Sequence, residues 1–168
     1  KDIKRQFKEL EEARNFQMGM LPDKNPSVLN LDIATHINTA EEVGGDYYDF
    51  FIQKKSNSLI VAIGDATGHG MIAGNIVSIT KAGLSSVNFE SPINEILENL
   101  NRIIKKVGIG RNRMCLNICH VTKDNFEICS AGMPPTYLYK NSNNSIEEVM
   151  ISGLPAGSLK NSKYSSEK

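Results

Sequence analysis

Two glycine-flanked aspartates are the residues of this chain whose type and spacing favour chemistry. Residues 44–49 read Gly-Gly-Asp-Tyr-Tyr-Asp and residues 64–70 read Gly-Asp-Ala-Thr-Gly-His-Gly, so Asp46 and Asp65 each adjoin a strand-like apolar run. A neighbouring glycine lets the backbone approach whatever the carboxylate binds. Carboxylates, backbone carbonyls and waters are the ligands that magnesium and manganese prefer. The pattern therefore predicts carboxylates that converge on a hard divalent cation.

The composition is that of a soluble protein with a sizeable core. The chain has 168 residues, of which 40% are hydrophobic, and these values suit one domain. Its 19 basic residues balance 19 acidic ones, which argues against nucleic acid or an anionic membrane as a partner. One local basic spot combines Lys105, Lys106, Arg111 and Arg113.

The sequence also argues against secretion and membrane insertion. No apolar stretch approaches the roughly 20 residues that a membrane helix needs, and the polar start does not resemble a signal peptide. Cys115, Cys119 and Cys129 show no Cys-x-x-Cys spacing and lie in strand-like runs, so we expect reduced, buried thiols and a cytoplasmic protein.

Residues 2–20 are predicted to form an amphipathic helix. Ile3, Phe7 and Leu10 follow the i, i+4, i+7 pattern, and Pro22 ends the segment. The helix starts without a cap, which is typical of the end of a longer helix that enters from an upstream domain. Packing against its own domain is the alternative, and both remain open. We therefore divide the chain into a linker or dimerisation helix, 1–22, and a main domain, 23–168.

The main domain alternates strand-like and helix-like patterns. The apolar run 59–63 indicates a strand that is buried on both faces. Ser91 followed by Pro92 is typical of a helix start, and the polar end of the chain, 158–168, is expected to fray. Tight turns join the strands, which favours antiparallel sheets in an α+β domain. The predicted strands are 29–37, 43–52, 59–63, 114–121, 126–131, 136–139 and 146–151, and the predicted helices are 71–87 and 92–107.

Several short motifs follow one another along the chain. They are Glu-Glu-Ala-Arg at 11–14, Met-Leu-Pro at 20–22, the two aspartate motifs at 43–49 and 63–70, Ser-Ala-Gly-Met-Pro-Pro at 130–135, and Gly-Leu-Pro-Ala-Gly at 153–157. Taken in this order, they resemble one protein family, the bacterial stage II sporulation protein E-like (SpoIIE-like) phosphatases, a branch of the metal-dependent serine/threonine phosphatases of type 2C. The resemblance covers nearly the whole chain.

The resemblance implies a fold and a cofactor. The fold is an αββα sandwich, in which two antiparallel sheets pack face to face between helices. The cofactor is a pair of manganese or magnesium ions. Asp65 matches the bridging carboxylate and the carbonyl of Ala66 a backbone ligand, while Asp46 supports the site directly or through water. Asp46 and Asp65 are thus the expected catalytic residues.

Four neighbouring residues are candidates for supporting roles at the site. Asp49 is either a second carboxylate behind the ligands or a structural hydrogen-bonding group, and we favour the structural role. Gly68 and Gly70 are expected to permit a tight turn from strand to helix. His69 between them either orients water or phosphate or serves the helix start. The following helix would direct its N-terminus towards a bound phosphate.

The chain also departs from the family pattern. Family members continue beyond the Gly-Leu-Pro-Ala-Gly stretch into Thr-Asp-Gly and Asp-Asp motifs that supply further metal ligands, whereas this sequence ends at Lys168 without them. We therefore expect a C-terminally incomplete domain, either a fragment or a degenerate homologue. Met133 also stands where the family usually has histidine.

Three functions are compatible with this pattern. The resemblance implies a phosphatase that acts on phosphoserine or phosphothreonine of a regulatory protein, often an anti-sigma-factor antagonist. The alternatives are an inactive pseudophosphatase that binds such a partner, and a relay that dimerises through residues 1–21 and responds to an upstream sensor. The intact Asp46 and Asp65 favour the enzyme, although the 168-residue chain itself is expected to have weak activity or none.

Overall fold

A computed structural model describes residues 2–39 and 43–168. In this part of the chain the helices are α1 (Asp2–Met18), α2 (Gly70–Ser85) and α3 (Ile93–Val107). The strands are β1 (Asp46–Gln53), β2 (Ser58–Ala66), β3 (Met114–Val121), β4 (Phe126–Ala131), β5 (Thr136–Lys140), β6 (Ser145–Val149) and β7 (Ser166–Glu167). None of the described helices is long and apolar enough to cross a membrane.

Two antiparallel sheets form the framework. The larger sheet has the strand order β1-β2-β3-β4-β7, and β5 pairs with β6 in a separate hairpin. Helices α2 and α3 cover one face of the larger sheet, and the apolar side chains between them form the core. The α+β prediction with two antiparallel sheets is therefore confirmed. The core includes Tyr47, Ile60, Ala62, Leu116, Ile118 and Cys129 from the strands, with Ile76, Val77, Leu84, Leu97, Leu100 and Ile104 from the helices.

The opposite face of the larger sheet is only partly covered by described residues. The β5–β6 hairpin meets it where the Asn117 side chain donates a hydrogen bond to the Thr136 hydroxyl. Ile63 of β2 is 49% exposed on this face, and Ile52 is similarly exposed. The prediction that residues 59–63 are buried on both faces therefore holds at Leu59, which is fully buried on the open face, and is wrong at Ile63. Side chains alternate between the two faces of a strand, and the face opposite the helices is covered only in part.

The segment 29–37 is not a strand, contrary to the prediction. Leu29 and Asn30 have φ values of 58° and 56°, which place a turn at the predicted strand start. The chain beyond it pairs with no described strand. Instead, the Asn25 side chain donates to the carbonyl of Ile33 and accepts a hydrogen bond from Thr35. Within this segment only residues 29, 33 and 37 are half-buried, so the apolar residues do not line one face of a strand.

Two predictions about element ends were also wrong. Residues near the C-terminus are held and do not fray: β7 pairs with β4, and Tyr164 is buried in the core. The first helical residue of α3 is Ile93, with Pro92 as a cap that makes no side-chain hydrogen bond, so Ser91 is not the N-cap.

The three cysteines are all free thiols. Cys129 is buried, whereas Cys115 and Cys119 are half-buried.

Helix α1 is anchored at its C-terminal end. Ile3 and Phe7 are 69% and 63% exposed, whereas Gln17 is buried, and the helix packs against α2. The predicted apolar stripe therefore exists, and its first two residues have no cover within the described residues. Lys1 lies outside the described residues.

Candidate metal centre

Asp46 and Asp65 face each other across the first two strands of the sheet. The β1–β2 ladder pairs Asp46 with Asp65, at the first residue of β1 and close to the end of β2. Residues directly opposite each other in an antiparallel pair point to the same face. Both carboxylates are exposed on the face that the helices leave open. The structure thus brings the two predicted aspartates together.

Gly45 leaves the space that this arrangement needs. A Cβ at this position would lie 2.7 Å from the carbonyl oxygen of Ala66 and 2.8 Å from Oδ1 of Asp65, so any larger residue would displace one of these oxygens. The two oxygens therefore approach one small volume beside Asp46. The backbone is fixed there because the Ala66 N–H donates to the Gly45 carbonyl at 2.9 Å. The third predicted ligand, Ala66, consequently lies at the same point of the sheet.

The two carboxylates repel each other at neutral pH. Partial withdrawal from water, followed by the negative charge of Asp46, raises the pKa of Asp65 above its ordinary value. On β3, Cys115 pairs with Asp65, and burial together with the Asp65 charge raises the pKa of its thiol. A thiol in this state is a weak nucleophile. A divalent cation between the carboxylates would remove the repulsion.

A cleft of about 290 Å³ opens beside the two aspartates. Met133 lines it, and so do His36 and Asn38 from the loop before the first aspartate motif. Sequence reasoning did not single out His36, which it assigned to the strand 29–37, or Asn38, which follows that segment. The cleft therefore gives a ligand access to both carboxylates from the open face of the sheet.

The segment after Asp65 makes a sharp turn into α2. Gly68 and Gly70 have φ values of +94° and +63°, in the left-handed region that glycine adopts without strain. Thr67 fixes the turn: its N–H donates to the Arg113 carbonyl, and its hydroxyl accepts from the Arg113 N–H, both at 2.8 Å. His69 is the N-cap residue of α2, although its side chain does not cap the helix. These positions agree with the expected tight turn from strand to helix.

Asp49 is directed away from the candidate metal site. It is buried on the helix face, where its carboxylate accepts hydrogen bonds from Lys81 Nζ at 2.6 Å and the Tyr47 hydroxyl at 2.8 Å. Burial, with the Asp49 charge and hydrogen bond, raises the pKa of Tyr47. These contacts tie β1 to α2 and favour the structural role over the one behind the metal ligands.

Gln17 connects α1 to the first aspartate motif, a link that sequence reasoning missed. Its buried side-chain amide donates to the Gly44 carbonyl and accepts from the Gly44 N–H at 2.9 Å. Both backbone groups of Gly44 are therefore satisfied by one side chain two residues before Asp46. A signal was present in the sequence, because Gln17 is a polar residue seven positions after Leu10 on the same helix face.

The donors present fit a hard cation but do not complete a site. All three candidates, Asp46, Asp65 and the Ala66 carbonyl, offer oxygen, which suits magnesium or manganese better than a soft metal. Among the described residues there is no group of three or more His, Cys, Asp or Glu side chains that could hold a metal ion. A cation here would therefore depend on water or on further ligands for most of its coordination.

Comparisons with known proteins identify related sequences. The family model of stage II sporulation protein E (SpoIIE) matches residues 55–168. The phosphoserine phosphatase RsbU of Bacillus subtilis (strain 168) is 30% identical over 153 residues, which is 89% of this chain. The chain spans 45% of the length of that relative.

Solved structures share the fold. The SiaA-PP2C domain of Pseudomonas aeruginosa superposes with a TM-score of 0.71 at 16% identity, covering 99% of this chain and 68% of that one. RsbX in complex with magnesium superposes with a TM-score of 0.58 at 22% identity, covering 74% of this chain and 60% of that one. Because the family model matches residues 55–168, more than half of the sequence, the chain belongs to the stage II sporulation protein E family.

Replacing Asp65 by asparagine should raise the thermal stability of the metal-free protein. Asp65→Asn removes one of two adjacent like charges, and because the pair is exposed and screened by salt we expect a rise of about 1–3 °C in Tm. The difference should shrink as the pH falls through the raised pKa of Asp65, since the protonated carboxyl carries no charge.

Differential scanning fluorimetry with and without manganese measures both effects. The wild type should gain Tm with manganese, and Asp65→Asn should not. Asp124→Asn, in the β3–β4 turn, is the matched control and should respond to manganese as the wild type does. An undiminished manganese response of Asp65→Asn would contradict the assignment.

Removing the Gln17 amide should destabilise the protein and loosen the Asp46 strand. Gln17→Ala leaves the N–H and carbonyl of the half-buried Gly44 without their partner, which we expect to cost about 2 kcal/mol. Gln6→Ala, at an exposed position of the same helix, should change the free energy of unfolding by less than about 0.5 kcal/mol. Urea titration compares the two variants, and equal values would show that the link to Gly44 carries no stability.

Proposed function

We propose that this member of the stage II sporulation protein E family forms most of the catalytic domain of a metal-dependent protein phosphatase. Its substrate would be phosphoserine or phosphothreonine on a bacterial regulatory protein, such as an anti-sigma-factor antagonist. The observation that supports this proposal most directly is the Asp46–Asp65 pair beside the Ala66 carbonyl. The relative RsbU is named a phosphoserine phosphatase, which agrees with the proposal.

Asp46, Asp65 and the Ala66 carbonyl would hold the metal, which in the complete domain is a pair of manganese or magnesium ions. Such ions lower the pKa of a bound water and neutralise charge on a transferring phosphoryl group. Two octahedral ions offer about 12 coordination positions, so three protein ligands leave most of them to water or to further residues. The magnesium complex of RsbX supports the choice of a hard divalent ion.

The residues of this chain would prepare the site in three ways. Gly45 keeps the ligand oxygens of Asp65 and Ala66 free of a side chain. The turn at Gly68 and Gly70 brings the N-terminus of α2 close behind Ala66, and the first turn of that helix carries no acidic residue. Unpaired N–H groups at a helix N-terminus favour an anion, so this end of α2 would orient the phosphate.

A partner-binding role without turnover is the second candidate. The incomplete ligand set among the described residues favours it for a protein that consists of this segment alone. The two candidates differ in their metal response, because a pseudophosphatase would bind its phosphorylated partner whether or not manganese is added. An intact pair of aspartates favours the enzyme, since a site that only binds protein has no need of their mutual repulsion.

We also propose that α1 mediates dimerisation or signal input from an upstream sensor, with 1–22 acting as a linker helix and 23–168 as the phosphatase domain. Ile3 and Phe7 expose an apolar stripe that favours a second apolar surface, and another copy of the helix supplies one. Through Gln17, a displacement of α1 would act directly on Gly44 and the Asp46 strand.

We call the parent protein a longer chain that contains this segment together with the Thr-Asp-Gly and Asp-Asp motifs of the family. The 168-residue chain should turn over p-nitrophenyl phosphate with manganese at less than about a hundredth of the rate of the parent protein, because most metal positions lack protein ligands. In the parent protein, Asp65→Asn should abolish turnover and leave the circular dichroism spectrum unchanged. Steady-state kinetics on the three proteins provides the test. Full activity of the parent with asparagine at this position would refute the proposed catalysis.

Charge on the apolar stripe of α1 should abolish self-association. Ile3→Glu with Phe7→Glu places two carboxylates on the exposed stripe, whereas Gln6→Glu with Asn15→Glu adds the same charge at exposed polar positions. Sedimentation velocity should show dimers for the wild type and the control and monomers for the stripe variant. If all three proteins sediment as monomers, α1 does not mediate dimerisation.

A further inference from the structure

A basic surface lies beside the turn that carries the candidate metal ligands. We define it as Arg102, Lys105, Lys106, Arg111 and Arg113, at the end of α3 and in the loop that follows. The segment 99–113 contains these five cations and no aspartate or glutamate, although positive and negative residues balance over the whole chain. The charge is therefore concentrated at one place in a neutral protein.

The basic surface extends from the end of the helix into the following loop. Arg102 and Lys106 are four residues apart in α3 and share a helix face. A small cleft of about 190 Å³ is lined by Lys105 of the helix and Arg113 of the loop. Arg102 lines another cleft together with two glutamates of α3. The cleft beside Lys105 therefore joins the basic end of α3 to the basic loop.

Some of these cations have structural roles and others do not. Lys105 donates to the Ser158 carbonyl, and the Arg113 guanidinium donates to the carbonyls of Gly110 and Asn112. Arg102, Lys106 and Arg111 are exposed and form no hydrogen bond or ion pair with any described residue. Cations in the last turn of a helix complement its dipole. That effect does not account for Arg111, which lies beyond the helix end at Gly108.

The surface is close to the candidate metal site. Thr67 and Arg113 exchange two hydrogen bonds of 2.8 Å, and Thr67 is two residues after Asp65. From residue spacing and strand separation, the backbones of Asp65 and Arg113 lie within roughly 12 Å of each other. This distance is comparable to the Debye length of about 8–10 Å at moderate salt. Charges on a protein that places its phosphoserine at the site would therefore interact with Arg113, and Arg111 lies two residues before it in the same loop.

We propose that the basic surface docks the phosphorylated substrate protein through acidic residues that flank its phosphoserine. This inference rests on the proposed phosphatase function and specifies its substrate class as acidic phosphoproteins. Nucleic acid is disfavoured, because the sequence pI is about 7.0 and the cations cover one helix end without a basic stripe along the molecule. Complementary charge of this kind raises association rates and sets orientation more than it adds affinity.

The test compares two phosphoserine peptides of equal length, one with acidic and one with uncharged flanking residues, as substrates of the parent protein with manganese. At low ionic strength kcat/KM should be about tenfold higher for the acidic peptide, and the preference should fall as salt is added. Lys106→Glu with Arg111→Glu should remove the preference. Lys54→Glu with Lys123→Glu changes the net charge equally in the turns at the opposite end of the sheet and should retain it.

Equal kcat/KM values for the two peptides in the wild type would overturn the proposal. A preference that survives in the Lys106 and Arg111 variant, or that disappears equally in the control, would overturn it as well.

Hydrolysis of p-nitrophenyl phosphate by the wild type tests the phosphatase function separately. If it fails, fluorescence anisotropy of labelled peptides with the 168-residue chain decides the docking question. Binding there should follow the same order, and tighter binding of a single-stranded oligonucleotide than of the acidic peptide would overturn the assignment.

Discussion

The antiparallel ladder between β1 and β2 determines the position of every candidate ligand. Side chains alternate between the two faces of a strand, so a slip of one residue would turn Asp46 or Asp65 towards the helices. Buried residues oppose such a slip, because Tyr47 of β1 and Ile60 and Ala62 of β2 all belong to the core under α2 and α3. Helix packing on one face therefore sets the position of carboxylates on the other.

Two further contacts restrain β1, one within the strand and one just before it. The buried Asp49 carboxylate holds Lys81 of α2, and the Gln17 amide of α1 holds Gly44 just before the strand begins. The region must resist a local repulsion, since Asp46 and Asp65 stand side by side without compensating charge among the described residues. The surrounding hydrogen bonds keep the two carboxylates together despite their repulsion, and a cation bound between them would relieve it.

The sequence was sufficient for the local features of the site and insufficient for its long-range contacts. Glycine beside Asp46 and Asp65 marked both positions, and Ala66 followed from the family resemblance. Periodicity also located α1, α2, α3 and the hairpin turns. The position of Gln17 on the Leu10 face of the helix was a signal, but no sequence pattern indicates its hydrogen-bonding partner Gly44, 27 residues away. The segment 29–37 was assigned to a strand because of its apolar residues, but only residues 29, 33 and 37 are half-buried, and two positive φ values place a turn at its start.

The β1–β2 hairpin has a consequence for the order of folding. Its ladder joins residues close in the sequence through the short turn between Gln53 and Ser58, so little loop entropy opposes its formation. By contrast, the buried Asn101 side chain that accepts a hydrogen bond from the Gly157 N–H bridges 56 residues and closes only when α3 and the C-terminal segment have met. The two aspartates can therefore be aligned in an early hairpin. A nascent chain would then present the two candidate metal ligands to the solvent before its C-terminal segment has docked.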